Sequence, residues 1–215
     1  MKIMKKVSLA LAAMMLFASA AFASGQSTSV TFSVPTNITT TKITGEIAGY
    51  DVSSTTKENF NFIGFGICSM NNNIYSSVDF SFPGKYKVGN ATLTMENFRA
   101  MKAMPWFMNF LGGPAFRIID SGIMELVLAP GIHFSMNSWM GENANARLYY
   151  FIGLGGDAMF NYYFTSSLCV TAAFSFGYDF FGFDFDSLGR SSSSGLKYKY
   201  SNMTVTPRIG VGYSY

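Results

Sequence analysis

Residues 203–215 read "MTVTPRIGVGYSY", and two kinds of side chain alternate along the whole stretch. The odd-numbered positions carry Met, Val, Pro, Ile, Val, Tyr and Tyr, whereas the even-numbered positions carry Thr, Thr, Arg, Gly, Gly and Ser. A β-strand points successive side chains to opposite faces. The stretch therefore predicts a strand with one apolar face and one face of small or polar residues.

The same alternation recurs in seven further segments, so the sequence predicts eight strands. The other segments are residues 29–34, 60–70, 77–82, 106–118, 124–136, 147–161 and 168–180. In residues 60–70 both registers contain apolar residues, and the facing of that strand stays open.

The predicted links between strands alternate in length. The short links are residues 71–73, 120–122 and 165–167, and the long links are residues 35–59, 83–105, 137–145 and 182–202. Residues 83–105 contain either a short helix or a strand extension. Alternating short turns and long loops are typical of an up-and-down barrel that crosses an outer membrane.

Face matching predicts the partners across two of the short links. Across residues 120–122, Ile118 should oppose Met124 and Arg117 should oppose Glu125. Across residues 165–167, Phe164 should oppose Leu168, and Asp157 should oppose Ser175 further along the same two strands.

The first 23 residues have the pattern of a secretory signal peptide. Lys2, Lys5 and Lys6 precede an apolar run over residues 7–17, and small residues at Ala21 and Ala23 suit a signal peptidase. The alternative, a membrane anchor, needs about 20 apolar residues, more than this run provides. We expect cleavage near Ala23, which leaves one barrel domain over residues 24–215.

Charge and composition exclude several protein classes. Loss of the three signal lysines leaves 12 basic and 12 acidic residues, so the basic pI gives no reason to expect a nucleic-acid partner. Only 13% of residues are charged, against about 25% in typical soluble domains. A charge-poor, aromatic-rich exported chain without a long apolar helix predicts an all-β fold: an eight-stranded antiparallel up-and-down transmembrane β-barrel.

The charged residues predict which face points into the barrel. A basic residue on the lipid face costs about 2–4 kcal/mol at the bilayer midplane. The charges fall on the small, polar faces, so those faces should line the lumen. This predicted lumen network consists of Arg117, Glu125, Arg147, Asp157, Asp179 and Arg208, with Arg117 and Glu125 as an ion pair. Eight strands leave room only for side chains, so we expect a filled lumen.

With these features the chain resembles the small eight-stranded outer-membrane β-barrel family. The most specific match is the C-terminal assembly signal, which Arg208, Gly210, Tyr213 and Tyr215 fill; the family commonly ends in Phe, and this chain has Tyr. The resemblance implies an outer-membrane location, contact with outer-membrane lipid, and recognition by the barrel assembly machinery.

The sequence offers little catalytic chemistry. A single histidine excludes multi-histidine zinc sites, and we expect no cofactor or metal. Cys68 and Cys169 fall on non-adjacent predicted strands, so we expect free thiols. His133 and Ser135 resemble the His-x-Ser pair of outer-membrane lipid A deacylases. In that family an Asn directly follows the Ser, but this chain has Met136 there. The family's downstream carboxylate would fall near Arg147. We therefore expect no enzyme.

Four functions remain to be distinguished. The preferred interpretation is a monomeric barrel with a structural or surface-interaction role through its four long outer loops, whose ligand the sequence does not encode. The alternatives are a narrow transporter of small apolar molecules, a lipid A deacylase that uses His133 and Ser135, and a soluble lipocalin-like barrel with its apolar faces inward.

Overall fold

The computed structural model describes residues 27–47, 50–100, 105–139, 147–186 and 197–214. The predicted signal peptide, residues 1–23, and Tyr215 of the predicted assembly signal lie outside these ranges. No helix among the described residues is long and apolar enough to cross a membrane.

Nearly all of the described chain is antiparallel β-structure. The strands are β1 (Ser27–Ser33), β2 (Thr36–Ile47), β3 (Tyr50–Asn71), β4 (Ile74–Val88), β5 (Ala91–Thr94), β6 (Trp106–Pro114), β7 (Phe116–Asp120), β8 (Met124–Trp139), β9 (Arg147–Tyr163), β10 (Leu168–Asp186) and β11 (Lys197–Ser214). One short helix, α1 (Met95–Ala100), follows β5.

The strands close into a ring of eight wall positions, as the sequence predicts. β1 and β2 share one position, because both lie between β3 and β11. β6 and β7 share another: β6 lies between β4 and β8, and β7 follows it along β8. The pairing of β1 with β11 closes the ring, so no strand edge is left open at that seam.

The faces of the strands have the predicted polarity. Val30 and Phe32 are 56% and 53% exposed on the outside, whereas Ser29 and Thr31 between them are each 2% exposed. In β3, whose facing was open, Phe62, Cys68 and Met70 point inward and the odd-numbered residues point outward. The apolar exterior rules out the lipocalin-like alternative, because a soluble barrel keeps its apolar faces inside.

One of the two predicted hairpins is confirmed and the other is wrong. Asp157 opposes Ser175, and the Phe164 N–H donates to the Leu168 carbonyl at 3.1 Å. Across the other link, Asp120 opposes Glu125 and Arg117 opposes Val127.

The cause is a compensated shift of one residue. Ser121 and Met124 bond each other's backbone, at 2.9 and 3.2 Å, so the turn contains two residues and not three. A bulge at Ile118 adds the missing residue to β7 and restores the facing of Arg117.

The long outer links were predicted as loops, and two of them are mostly strand. β2 and β3 form one projecting hairpin, and β4, β5 and α1 occupy most of residues 83–105. β3 is 22 residues long, about twice what a tilted strand needs to cross a bilayer. The parts of the links at residues 140–146 and 187–196 lie outside the described residues.

Candidate functional site: the filled lumen

The lumen is organised around Arg208, which β11 directs inward between two outward residues. Its guanidinium reaches Asp79 on β4, with Nε 2.9 Å from Oδ1 and Nη2 also in contact. Nη1 lies 2.5 Å from Oδ2 of Asp157 on β9, which also accepts a 2.7 Å hydrogen bond from the Tyr75 hydroxyl. These three charged side chains are 0% exposed. The ion cluster ties together strands that are not neighbours in the ring, and it excludes water because nothing in it is exposed.

Asp79 was missing from the predicted charge network, although the sequence contains a signal for it. It lies between Val78 and Phe80 on the polar face of a predicted strand, which is the criterion that selected the other members. A buried arginine on one strand requires carboxylates on other strands that face the same lumen, because an unpaired buried charge is strongly unfavourable.

A second polar cluster lies around Asp179 on β10. Its Oδ1 accepts a 2.6 Å hydrogen bond from His133 Nδ1, and its Oδ2 accepts one of 2.7 Å from the Ser135 hydroxyl. The side-chain amide of Asn202 donates to Ser135 at 2.8 Å and to Asp179 at 3.1 Å. The cluster is fully enclosed, since His133, Ser135 and Asp179 are each 0% exposed.

The His133 ring fits because residue 177 is glycine. A Cβ at Gly177 would lie 2.4 Å from His133 Nε2. Within the described residues this nitrogen has no hydrogen-bond partner. The imidazole is therefore packed against backbone and held through its other nitrogen alone.

A third cluster lies at the end of the barrel that carries the short turns. Arg117 Nε is 2.8 Å from Glu125 Oε1, and the other carboxylate oxygen accepts hydrogen bonds from Asn161 at 2.9 Å and Tyr163 at 3.1 Å. Although Arg117 opposes Val127, it reaches Glu125 diagonally on the same face. A cavity of about 420 Å³ opens beside this cluster.

Apolar layers separate the polar clusters and close the lumen. One apolar cluster packs beside the ion cluster, and it includes Met70, Tyr75, Leu111, Val127 and Met159. At the outer end, aromatic rings stack across β3, β4 and β6, with centroids 4.2 Å apart for Phe60–Tyr86 and 5.0 Å for Phe62–Phe107. Phe98 of α1 packs against Tyr86 and is 2% exposed. The barrel interior is a packed core with polar layers, and the outer surface of the barrel is apolar.

A closed ring with charges buried inside and bare apolar residues outside is stable only in lipid. The protein is an eight-stranded antiparallel transmembrane β-barrel.

Solved structures of small outer-membrane barrels resemble this barrel in architecture. The attachment invasion locus protein (Ail) of Yersinia pestis aligns with a TM-score of 0.40 and 12% identity over 89% of this chain and 99% of Ail. OprG of Pseudomonas aeruginosa gives 0.47 and 11% over 89% and 98%, and Neisserial surface protein A (NspA) gives 0.44 and 13% over 86% and 97%. No family model and no curated protein matches the chain. The closed ring of strands establishes the fold of this barrel independently of these resemblances.

The barrel places the proposed deacylase pair in an arrangement unsuited to attack by serine. A nucleophilic serine passes its proton to histidine, but here the Ser135 hydroxyl donates to Asp179. The carboxylate comes from β10 and not from the region of Arg147. It holds His133 and Ser135 separately, so the two do not form a dyad.

The remaining predicted residues take varied places in the barrel. The Arg147 backbone opposes Trp139 and Asp186 at the outer end, and its side chain lies outside the described part of the chain. Of the assembly-signal residues, Arg208 is buried in the ion cluster, and Tyr213 is 46% exposed on the outer wall. Gly210 lies so close to β1 that a Cβ there would be 2.0 Å from the Val30 carbonyl oxygen.

The two cysteines are free, as predicted, and both are buried. Cys68 lies on β3 and Cys169 on β10, which are not adjacent in the ring.

Proposed function

We propose that this barrel is a non-catalytic, non-conducting membrane scaffold that holds a projecting β-structure outside the cell for contact with an external partner. The closed lumen is the observation that carries the proposal. The ion cluster of Arg208, Asp79 and Asp157 spans the interior with 0% exposure, and packed side chains lie on both sides of it. A solute would have to break this cluster to pass.

The outer extension supports the second half of the proposal. β3, β10 and β11 are 22, 19 and 18 residues long, whereas about 9–11 residues cross the bilayer. Above the apolar band, β2 and β3 carry mainly threonine, serine and charged residues, which suit water and not lipid. This part of the barrel is the surface available to a partner.

Conductance in a planar bilayer tests the closed lumen. The refolded barrel should insert without stepwise currents, beside a general porin as a positive control for insertion and detection. Reproducible single-channel steps from the folded, heat-modifiable protein would refute the non-conducting scaffold.

Thiol labelling in whole cells tests the projecting surface. Cys68 and Cys169 are 1% and 2% exposed, so they give a low background. A Ser53→Cys variant, in the outer half of β3, should react with a membrane-impermeant maleimide in intact cells. The matched control, Ser166→Cys in an exposed short turn, should react only after the outer membrane is permeabilised. The reverse pattern would place the long strands on the periplasmic side.

A second candidate is the narrow transporter of apolar molecules, favoured by a fork in the barrel wall. β10 and β11 stop pairing at Asp179 and Asn202, and above this point β10 continues with β9 and β11 with β2. An aromatic cavity of about 340 Å³ lies at the fork, lined by Phe180, Phe181, Gly182, Phe183, Tyr198, Lys199 and Tyr200. Faster uptake of a small alkane by cells that express the barrel, lost on blocking the fork with Gly182→Trp, would favour this candidate over the scaffold.

The assembly signal and the monomeric state are further parts of the proposal. Tyr213 on the outer wall and Gly210 against β1 suit a strand that is recognised first and then closes the ring. The ring closes within one chain, which supports a monomer.

A further inference from the structure

The lysines of the described chain are gathered on one part of the outer wall. All six of them, Lys42, Lys57, Lys85, Lys87, Lys197 and Lys199, are exposed, and they lie on four consecutive strands, β4, β3, β2 and β11. We call this set the lysine belt. The other outer strands, β8, β9 and β10, carry no lysine.

Register shows that the lysine belt is continuous and faces outward. Lys199 directly opposes Lys42 across β11 and β2. Lys57 opposes Thr40, two residues from Lys42 on the same face. Lys87 opposes Asn59, two residues from Lys57. Five of the six lysines thus have another as a direct or diagonal neighbour on the adjacent strand, and Lys85 lies two residues from Lys87 on the same face. Such an arrangement is unfavourable without a counter-charge.

The ion pairs seen among the described side chains of the barrel lie in the lumen, and none of them includes a lysine. Glu46 and Asp51 share the outward face and oppose each other near the tip of the hairpin. Glu46 lies diagonally from Lys197, which opposes Thr44, and four residues beyond Lys42. The lysine belt therefore carries an excess of positive charge, with an acidic side chain beside only one of its ends.

The position of the lysine belt relative to the apolar band indicates what it contacts. In β4, Lys85 comes three residues after the outward Phe82, and in β11 Lys199 comes four residues before the outward Met203. At about 3.3 Å per residue these lysines lie roughly 10–13 Å along their tilted strands beyond the apolar band, on the side where headgroups border the hydrocarbon. Long lysine side chains can bend back toward that layer.

We propose that the lysine belt binds the phosphate groups of outer-leaflet lipid headgroups. The site fits several phosphates side by side on one half of the barrel circumference, and it orders negatively charged lipid there. This inference is independent of the scaffold proposal, because a conducting barrel could carry the same belt.

Lipid binding to the purified full-length mature barrel tests the proposal. The refolded protein in a neutral maltoside detergent is titrated with phosphatidic acid and, separately, with phosphatidylcholine of the same chain length, and bound lipids are counted by native mass spectrometry. The wild type should prefer phosphatidic acid at least about tenfold, and added salt should weaken that preference.

Two quadruple variants separate charge from position. Replacement of Lys42, Lys57, Lys87 and Lys199 by glutamine should abolish the preference, since each lysine near an anionic surface contributes about fivefold. Replacement of the same four by arginine should retain it. A heat-shift gel in neutral detergent shows that both variants fold, as expected for exposed side chains.

Three outcomes overturn the proposal. The first is an undiminished preference in the glutamine variant. The second is a preference in the wild type that is no greater for phosphatidic acid than for phosphatidylcholine. The third is complete displacement of the lipid by inorganic phosphate at an ionic strength at which chloride leaves the lipid bound, which would show a general anion site and not a lipid site.

Discussion

Removal of the central guanidinium, by Arg208→Met, should be among the most destabilising single changes in the lumen. Methionine has a similar length, so the substitution removes the charge and the donors and leaves little cavity. Asp79 and Asp157 then face each other without a cation, at 0% exposure. Breaking a buried pair by removing one partner costs about 3–5 kcal/mol. Because Arg208 has two such partners, we expect the free energy of unfolding to fall by about 5 kcal/mol.

Much of the lost stability should return when the two carboxylates left without a cation are also replaced. Adding Asp79→Asn and Asp157→Asn to Arg208→Met leaves polar groups that can hydrogen-bond to each other, and Tyr75 keeps an oxygen acceptor. We expect the triple variant to recover at least half of the lost free energy, because replacing a whole buried ion cluster is often close to neutral.

Urea unfolding in lipid vesicles gives both values. Trp106 and Trp139 report unfolding by fluorescence, and a heat-shift gel reports the folded fraction independently. Refolding from urea without cellular factors separates stability from any effect on the proposed assembly signal, which includes Arg208. An Arg208→Met barrel within 1 kcal/mol of the wild type, or a triple variant less stable than the single one, would refute the reasoning.

Four further outcomes follow from the same geometry. Deletion of residues 213–215 should block assembly in cells, and normal insertion of the truncated chain would contradict the assembly signal. Glu125→Leu should lower the heat-shift midpoint through a loss of about 1–2 kcal/mol; an unchanged midpoint would mean that the ion pair contributes nothing. Gly177→Ala should cost about 1–3 kcal/mol through overlap with the His133 ring, and His133→Ala in the same chain should relieve part of it. Ser135→Ala should leave lipid A acylation unchanged by mass spectrometry, whereas acyl loss that depends on this hydroxyl would support a deacylase.

The sequence was sufficient to predict which side chains face the lumen, because strand alternation admits only two registers. Placing Arg208 inward also places its neighbours Ile209 and Pro207 outward, so one charge decides the facing of a whole strand. In β3 that evidence is missing, because Cys68 and Met70 are as apolar as the residues that alternate with them. The facing of β3 came only from its pairing with β1 and β4.

Two other features needed information that alternation does not carry. The extension of β2 above the membrane has threonine on both faces, and water on its outer side removes the contrast between them. The partner of Arg208 lies 129 residues away on a strand that is not its neighbour. That contact depends on the stagger of the whole ring, which a bulge such as the one at Ile118 changes by one residue.

Although the net charge of the chain is small, its acidic and basic side chains lie in different parts of the barrel. The lumen clusters contain Asp79, Glu125, Asp157 and Asp179 with only Arg117, Arg208 and one histidine, so acidic residues dominate the interior. The described lysines all lie outside, on one side of the wall. The two sets have different surroundings, because the lumen charges other than Arg117 are buried away from water, whereas the lysine belt lies on the exposed outside of the barrel. Lumen substitutions should therefore change stability in any detergent or lipid, whereas lysine substitutions should change it only where the surrounding lipid is anionic.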